Sequence, residues 1–186
     1  MPTYLALLRG INVSGKKIIK MEDLRHLMKS VGYTNVKTYI QSGNVIFGST
    51  THSKEKVAAS VEALIEGYYG FDVAVFIFDA KDVEKAVDNN PFVSQREPEG
   101  AGSKKLYLTF LSETPSPENR PKLLEAPIGD DLIEIVGDVV YFKLQAKASE
   151  SKLSNNLIES KLKLRATTRN WNVTLKLLEL LQVNSK

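Results

Sequence analysis

The residues of this 186-residue chain best suited to chemistry are basic and hydrogen-bonding groups rather than nucleophiles or metal ligands. From Arg9 to Lys20 the run Arg9-Gly10-Ile11-Asn12-Val13-Ser14-Gly15-Lys16-Lys17-Ile18-Ile19-Lys20 holds four cations, no carboxylate and two glycines. A loop of that composition can hold an anion through its side chains and its free backbone N–H groups. About thirty residues on, Gln41-Ser42-Gly43-Asn44 adds two amides and a hydroxyl. Near the C-terminus, Thr167-Thr168-Arg169-Asn170 sets a guanidinium beside the start of a helical stripe. The dipole of a helix N-terminus favours an anion there and disfavours a lone cation. Arg169 is therefore expected either to pair with a carboxylate of the other half of the chain or to bind an anionic ligand. The candidate ligand-binding residues are Arg9, Asn12, Lys16, Lys17, Gln41, Ser42, Asn44, Arg169 and Asn170.

Other chemistries lack their residues. With no cysteine, thiolate nucleophiles, cysteine-ligated zinc and iron–sulfur centres are excluded, and His26 and His52 alone do not make a multi-histidine metal site. No metal and no cofactor is implied, the carboxylates form no recognisable catalytic pair, and no residue is assigned a catalytic role. Gly10 to Lys17 matches the G-x4-G-K spacing of a phosphate loop, but Lys17 stands where a Ser or Thr hydroxyl should meet magnesium. Ile18-Ile19-Lys20 also separates it from the next helix, so a P-loop NTPase is rejected. The net charge of +3 is too small to argue for non-specific nucleic-acid binding. It conceals a contrast: residues 143–176 carry eight basic and two acidic residues, a local +6, whereas 105–138 carry three and seven, a local −4. Thr3–Leu8 has neither the basic flank nor the cleavage pattern of a signal peptide, and no apolar run approaches the ~20 residues of a membrane span. The expectation is a soluble, cytoplasmic protein without a membrane partner.

The elements that must position these groups follow from hydrophobic period. Thr3–Leu8 reads as a buried strand, and Met21, Leu24, Met28 and Val31 form a helical stripe ended by Gly32. Val36–Gln41 and Val45–Phe47 read as strands joined by a tight turn at Ser42-Gly43-Asn44. Ser53 caps a helix with the stripe Val57, Val61, Leu64, Ile65 and Tyr68, and Phe71–Phe78 is a strand. A short helix at Asp82–Asp88 leads into a loop running from Asn90 to Ser103. The second half repeats the order: strand Lys105–Leu111, a short helix begun by Ser116-Pro117, and a hairpin of Leu132–Val136 with Val139–Leu144. A helix capped by Ser151 and a strand at Leu164–Thr168 follow. An extra helix then carries Trp171, Leu175, Leu178 and Leu181 on one face. Each half spells βαββαβ, so the expected fold is α+β, two tandem ferredoxin-like modules with antiparallel sheets plus a C-terminal helix. The expected boundaries are residues 1–80 and 81–186.

In that topology strands one and two of the first module point the same way, which brings Arg9–Lys20 beside the Gln41–Asn44 turn. The same residue types also suit a plain hairpin turn and a plain helix cap, with Thr168 or Asn170 capping the last helix and Trp171 packed inward.

Four segments together, Leu7-Leu8-Arg9-Gly10-Ile11-Asn12-Val13, Tyr39-Ile40-Gln41-Ser42-Gly43-Asn44-Val45, Asn90-Pro91-Phe92 and Thr167-Thr168-Arg169-Asn170-Trp171, resemble a bacterial family of uncharacterised proteins, domain of unknown function one-six-nine-seven. The resemblance implies a pair of ferredoxin-like modules and no established activity. It departs at Ser14-Gly15, where Gly-Gly is the expected pair. The function expected is binding of an anionic small molecule, nucleotide or phosphorylated metabolite. The second reading is RNA binding on a ferredoxin-like sheet, with Tyr4, Phe47 and Tyr107 as stacking groups, although Asn44–Gly48 lacks the full ribonucleoprotein pattern. An enzyme that uses Arg9 and Arg169 as electrophilic groups, or an assembly module, are further readings.

Overall fold

The computed structural model describes residues 1–93, 105–145 and 147–185. The elements are β1 (Thr3–Leu8), α1 (Met21–Ser30), β2 (Thr34–Tyr39), β3 (Asn44–Gly48), α2 (Lys54–Tyr69), β4 (Val75–Phe78) and α3 (Ala80–Asp88). They continue with β5 (Leu106–Leu111), α4 (Arg120–Leu124), β6 (Leu132–Val136), β7 (Val139–Lys143), α5 (Asn155–Leu162), β8 (Ala166–Asn170) and α6 (Trp171–Asn184). The fold is α+β. Two four-stranded sheets have the orders β2-β3-β1-β4 and β6-β7-β5-β8, with every pairing antiparallel.

The chain divides into two units, residues 1–84 with 177–186 and residues 85–176. The end of α6, from Leu177 on, thus clusters with the first unit. The reason is local: the Thr3 hydroxyl donates to the Asn184 carbonyl at 3.1 Å and Lys37 Nζ to Asn184 Oδ1 at 2.6 Å.

In the first unit, strand alternation sends Tyr4, Ala6, Leu8, Val45, Phe47, Val75 and Ile77 to one face of the sheet. There they pack with Met21, Leu24 and Met28 of α1 and Val57, Val61 and Ile65 of α2. Leu5, Leu7, Ile46 and Phe76 on the opposite face are buried as well. The second unit repeats the arrangement, with Leu123 of α4 and Ile158 and Leu162 of α5 against Ile135, Val140, Phe142 and Ala166. Its opposite face carries Leu106, Leu108, Phe110 and Tyr141, also buried, and the Tyr141 hydroxyl donates to the Ala86 carbonyl of α3 at 2.6 Å.

Several boundaries differ from the pattern reading. The strand expected over Phe71–Phe78 begins only at Val75, because Glu62 Oε1 accepts the Val75 N–H at 2.9 Å while Phe71 stacks on Tyr69 at 5.8 Å. Tyr68 is exposed, and its neighbour Tyr69 packs against the core instead. Ser154, not Ser151, caps α5, its Oγ accepting from Leu157 N. Ser151 is held by Asp131 Oδ2. Ser116 forms a turn with Asn119, and α4 starts three residues later than expected, with Pro121 inside its first turn. Of the loop expected over 90–103, residues 94–103 lie outside the described set.

At the start of α3, Asp79 and Asp82 cap each other: Asp82 Oδ2 accepts from Asp79 N at 2.8 Å and Asp79 Oδ1 from Asp82 N at 3.0 Å. Lys54 Nζ bridges both carboxylates. Partial burial alone would raise the Asp79 pKa, but hydrogen bonds from Lys54 and the backbone outweigh it and hold the carboxyl below its usual range. For Lys54, burial opposes the charge and the bonds to Asp79 and Asp82 overcome it, raising its pKa. By linkage the Asp79 contribution is present above the unfolded carboxyl pKa and lost as pH falls through the lower folded one. The Lys54 contribution is present below its unfolded pKa and lost as pH rises through the higher folded one. Lys54→Met should therefore lower the melting temperature at neutral pH, and that loss should shrink below about pH 4 as Asp79 protonates. A loss of equal size at both pH values in thermal unfolding would contradict the clamp.

Candidate functional site in the first unit

Strands β1 and β2 both run antiparallel to β3, so the segment leaving β1 and the turn after β2 emerge at one end of the sheet. Asn12 ties them together. Its Nδ2 donates to the Ile19 carbonyl at 2.9 Å and to the Gln41 carbonyl at 2.8 Å, and its Oδ1 accepts the Ile19 N–H at 2.8 Å. The expected convergence of the two segments is present, and the Asn12 amide is spent on making it.

Within the loop, Asn12 N donates to Lys17 O and Lys16 N to Val13 O, a small hairpin whose central residues Ser14 and Gly15 have φ of +50° and +72°. Two left-handed residues in a two-residue turn are the signature of type I′. The Ser14 departure from Gly-Gly thus falls where a side chain is disfavoured but tolerated. The antiparallel strands and a helix that begins only at Met21 confirm that this is no phosphate loop of the NTPase type.

The β2–β3 turn is equally constrained. Ile40 at φ +51° ends β2, an unfavourable conformation for a β-branched residue. Gly43 at φ +83° is buried, and its carbonyl accepts the Leu8 N–H at 2.8 Å. Asn44 is wholly buried, and its Nδ2 donates to the Tyr39 carbonyl and to Ser42 Oγ, both at 3.0 Å. It braces the turn from inside.

The sequence-predicted residues therefore divide by role. Asn12 and Asn44 hold the backbone of the site. Lys17 is half-buried, with its Nζ bonded to the Asp72 carbonyl and 3.4 Å from Asp72 Oδ1. The Arg9 backbone N–H donates to the Ala74 carbonyl at 3.0 Å, and its side chain is half-buried. Lys16, Gln41 and Ser42 are exposed, as is Lys20, which immediately precedes α1. Among the described residues, neither Lys16 nor Lys20 has a carboxylate within ion-pair distance, and the N–H groups of Gly10, Ser14 and Gly15 donate no hydrogen bond. Asp72 is the residue that sequence reasoning missed, because its pairing with Lys17 spans 55 positions.

Arg169 and Asn170 belong to the second unit. Asn170 Oδ1 accepts the Val173 N–H at 2.8 Å and so caps α6, and Trp171 is wholly buried. Arg169 is only 8% exposed, and burial pulls its pKa down to about 10. Its Nη1 donates to Thr167 Oγ1 at 2.9 Å and to the Thr168 carbonyl at 2.8 Å. Of the expected stacking rings, Tyr4 and Phe47 are core residues 6.3 Å apart, and Tyr107 stacks on Phe142. The described residues contain no group of three or more His, Asp or Glu placed to hold a metal ion, and no helix long and apolar enough to cross a membrane.

These features define an α+β protein of two four-stranded antiparallel sheets with a polar, basic loop cluster at one end of the first. The chain belongs to the family described as Protein of unknown function (DUF1697), whose model matches residues 1–141. The solved structure of conserved bacterial protein SP0830 from Streptococcus pneumoniae is similar in fold, with a TM-score of 0.69 and 23% identity over 96% of this chain and 98% of that one. No curated protein shows significant similarity.

Proposed function

We propose that the protein binds an anionic small molecule, of the nucleotide or phosphorylated-metabolite class, at the loop end of its first unit. We also read each unit as a ferredoxin-like module, because the strand orders and the placement of α1 with α2, and of α4 with α5, on one face are those of the split βαβ arrangement. The observation that carries the binding reading is charge that the described residues leave unneutralised. Arg9–Lys20 contains four cations and no acid, Asp72 pairs with Lys17, Lys16 and Lys20 are exposed, and the Gly10, Ser14 and Gly15 N–H groups of the same segment donate no hydrogen bond. Ammonium groups and loop amides together are the donors that recognise phosphate or carboxylate oxygens. The Asn12 bracket holds that loop in shape before a ligand arrives, which lowers the ordering cost of binding.

Thermal-shift titration with inorganic pyrophosphate and nucleotides tests this, since a ligand that binds only the folded state raises the melting temperature by mass action. The wild type should show a saturable rise, and the double variant Lys16→Ala/Lys20→Ala, which touches no core residue, should need at least about tenfold more ligand, as loss of two charge-assisted contacts implies. An identical titration curve for the double variant would reject the site.

A further inference from the structure

The second unit contains a concavity of about 430 Å³ lined by Lys105, Tyr107, Leu144, Gln145, Lys147 and Glu150, among others. Its size falls in the range of small-molecule sites. We infer that it is a binding site for a flat aromatic ring bearing a single anionic group, of nucleoside-monophosphate size, separate from the loop cluster of the first unit.

Its floor is rigid. Tyr107 of β5 is in register with Phe142 of β7, and their rings stack at 5.1 Å with an interplanar angle of 7°. Phe142 stacks on one face of the Tyr107 ring, Tyr107 lines the cavity, and its remaining face is the one assigned to the ligand. The ladder continues one step further, with Leu144 N donating to the Lys105 carbonyl at 2.8 Å.

Its rim is pinned at both ends by one carboxylate. Asp131 Oδ1 accepts the Gln145 N–H and Asp131 Oδ2 the Ser151 hydroxyl, each at 2.7 Å. Ser151 Oγ in turn accepts the Leu153 N–H at 3.1 Å, and Glu150 N donates to the Lys147 carbonyl at 2.9 Å. Lys105 Nζ donates to the Gln145 carbonyl at 2.8 Å, which stations its ammonium on the rim with further donors available.

Chemistry selects the occupant. A one-sided aromatic platform suits a planar ring, and base–aromatic stacking is favourable for any base. Among the described lining residues two lysines stand against Glu150, a net charge of +1, which matches one anionic group better than a polyphosphate. Glu150 supplies an acceptor for hydroxyl or amino donors on the same ligand.

Calorimetric titration of the full chain carrying Lys16→Ala/Lys20→Ala, which removes the loop site proposed for the first unit, with AMP, adenosine and inorganic phosphate tests this. In that background AMP should bind at one site, and adenosine and phosphate, each lacking one feature, should bind at least about tenfold more weakly. Adding Tyr107→Leu should weaken AMP about tenfold and adding Lys147→Gln, on the exposed rim, about fivefold. No heat with AMP at about 1 mM, or AMP binding unaffected by Lys147→Gln or by a folded Tyr107→Leu, would overturn the assignment. AMP binding present in the wild type and absent from the Lys16→Ala/Lys20→Ala chain would overturn it and at the same time support the loop site. Should Tyr107→Leu fail to fold, Lys147→Gln still decides.

Discussion

Gly43→Ala should destabilise the protein by about 2–4 kcal/mol, the sum of a left-handed backbone penalty and an overpacked core. Gly43 has φ +83°, where a side chain is strained in any surroundings. A Cβ added there would also lie 2.7 Å from Leu8 Cβ and 3.0 Å and 3.1 Å from Ile11 Cδ1 and Cγ1. Neither neighbour can retreat easily. Leu8 is wholly buried, is paired with Val75 across β1 and β4, and donates its N–H to the Gly43 carbonyl; Ile11 is buried beside the same turn. For a chain of this length the melting temperature should fall by about 5–15 °C. Gly15→Ala separates the two terms: its φ is +72°, but a Cβ there would meet nothing within 4 Å. That variant should lose only about 1 kcal/mol. Equal losses in the two variants would show that the close approach of Gly43 to Leu8 and Ile11 has no weight.

Asn12→Ala is the second large effect, expected at about 2–3 kcal/mol, because one side chain supplies three hydrogen bonds, two to Ile19 of its own loop and one to Gln41, 29 residues away. Asn12 also sits at φ +55°, which asparagine tolerates better than alanine does. Asn12→Asp should fall short of rescue: it keeps the acceptor for Ile19 N–H but sets a carboxylate against the Ile19 and Gln41 carbonyls. Denaturant unfolding measures the stability, and hydrogen exchange at the Ile19 amide reports the bracket itself. Unchanged protection of that amide in Asn12→Ala would contradict the bracket. Anion binding at Lys16 and Lys20 should weaken in the same variant, because the loop would no longer be held in place beforehand.

Most of the architecture was legible because hydrophobic period and turn residues agreed. Thr3–Leu8, the Met21 stripe and the hairpin of Leu132–Val136 with Val139–Leu144 need only local information, and they form nearly as read, save that Val31 lies beyond α1 and is exposed. Misreadings arose where a distant partner decided. Phe71–Phe78 has a β-like composition, yet Glu62 and the core claim its first half. Ser151 and Ser154 are equal as caps in sequence, and Asp131 is what removes Ser151 from the competition. The candidate site shows the same limit. Segment convergence followed from topology, but an asparagine that binds a ligand and one that binds a backbone carbonyl have the same donors and acceptors. Only the coordinates assign Asn12 and Asn44 to the backbone, pair Lys17 with Asp72, and place Arg169 among the buried residues.

The most direct measurement is a titration of isotope-labelled protein with pyrophosphate, followed by backbone amide chemical shifts. Binding at the loop end of the first unit predicts saturable shifts at Gly10, Ser14, Gly15 and Lys16 with a common midpoint, lost in Lys16→Ala/Lys20→Ala. The absence of saturable shifts at those amides, or their persistence in the double variant, would contradict it.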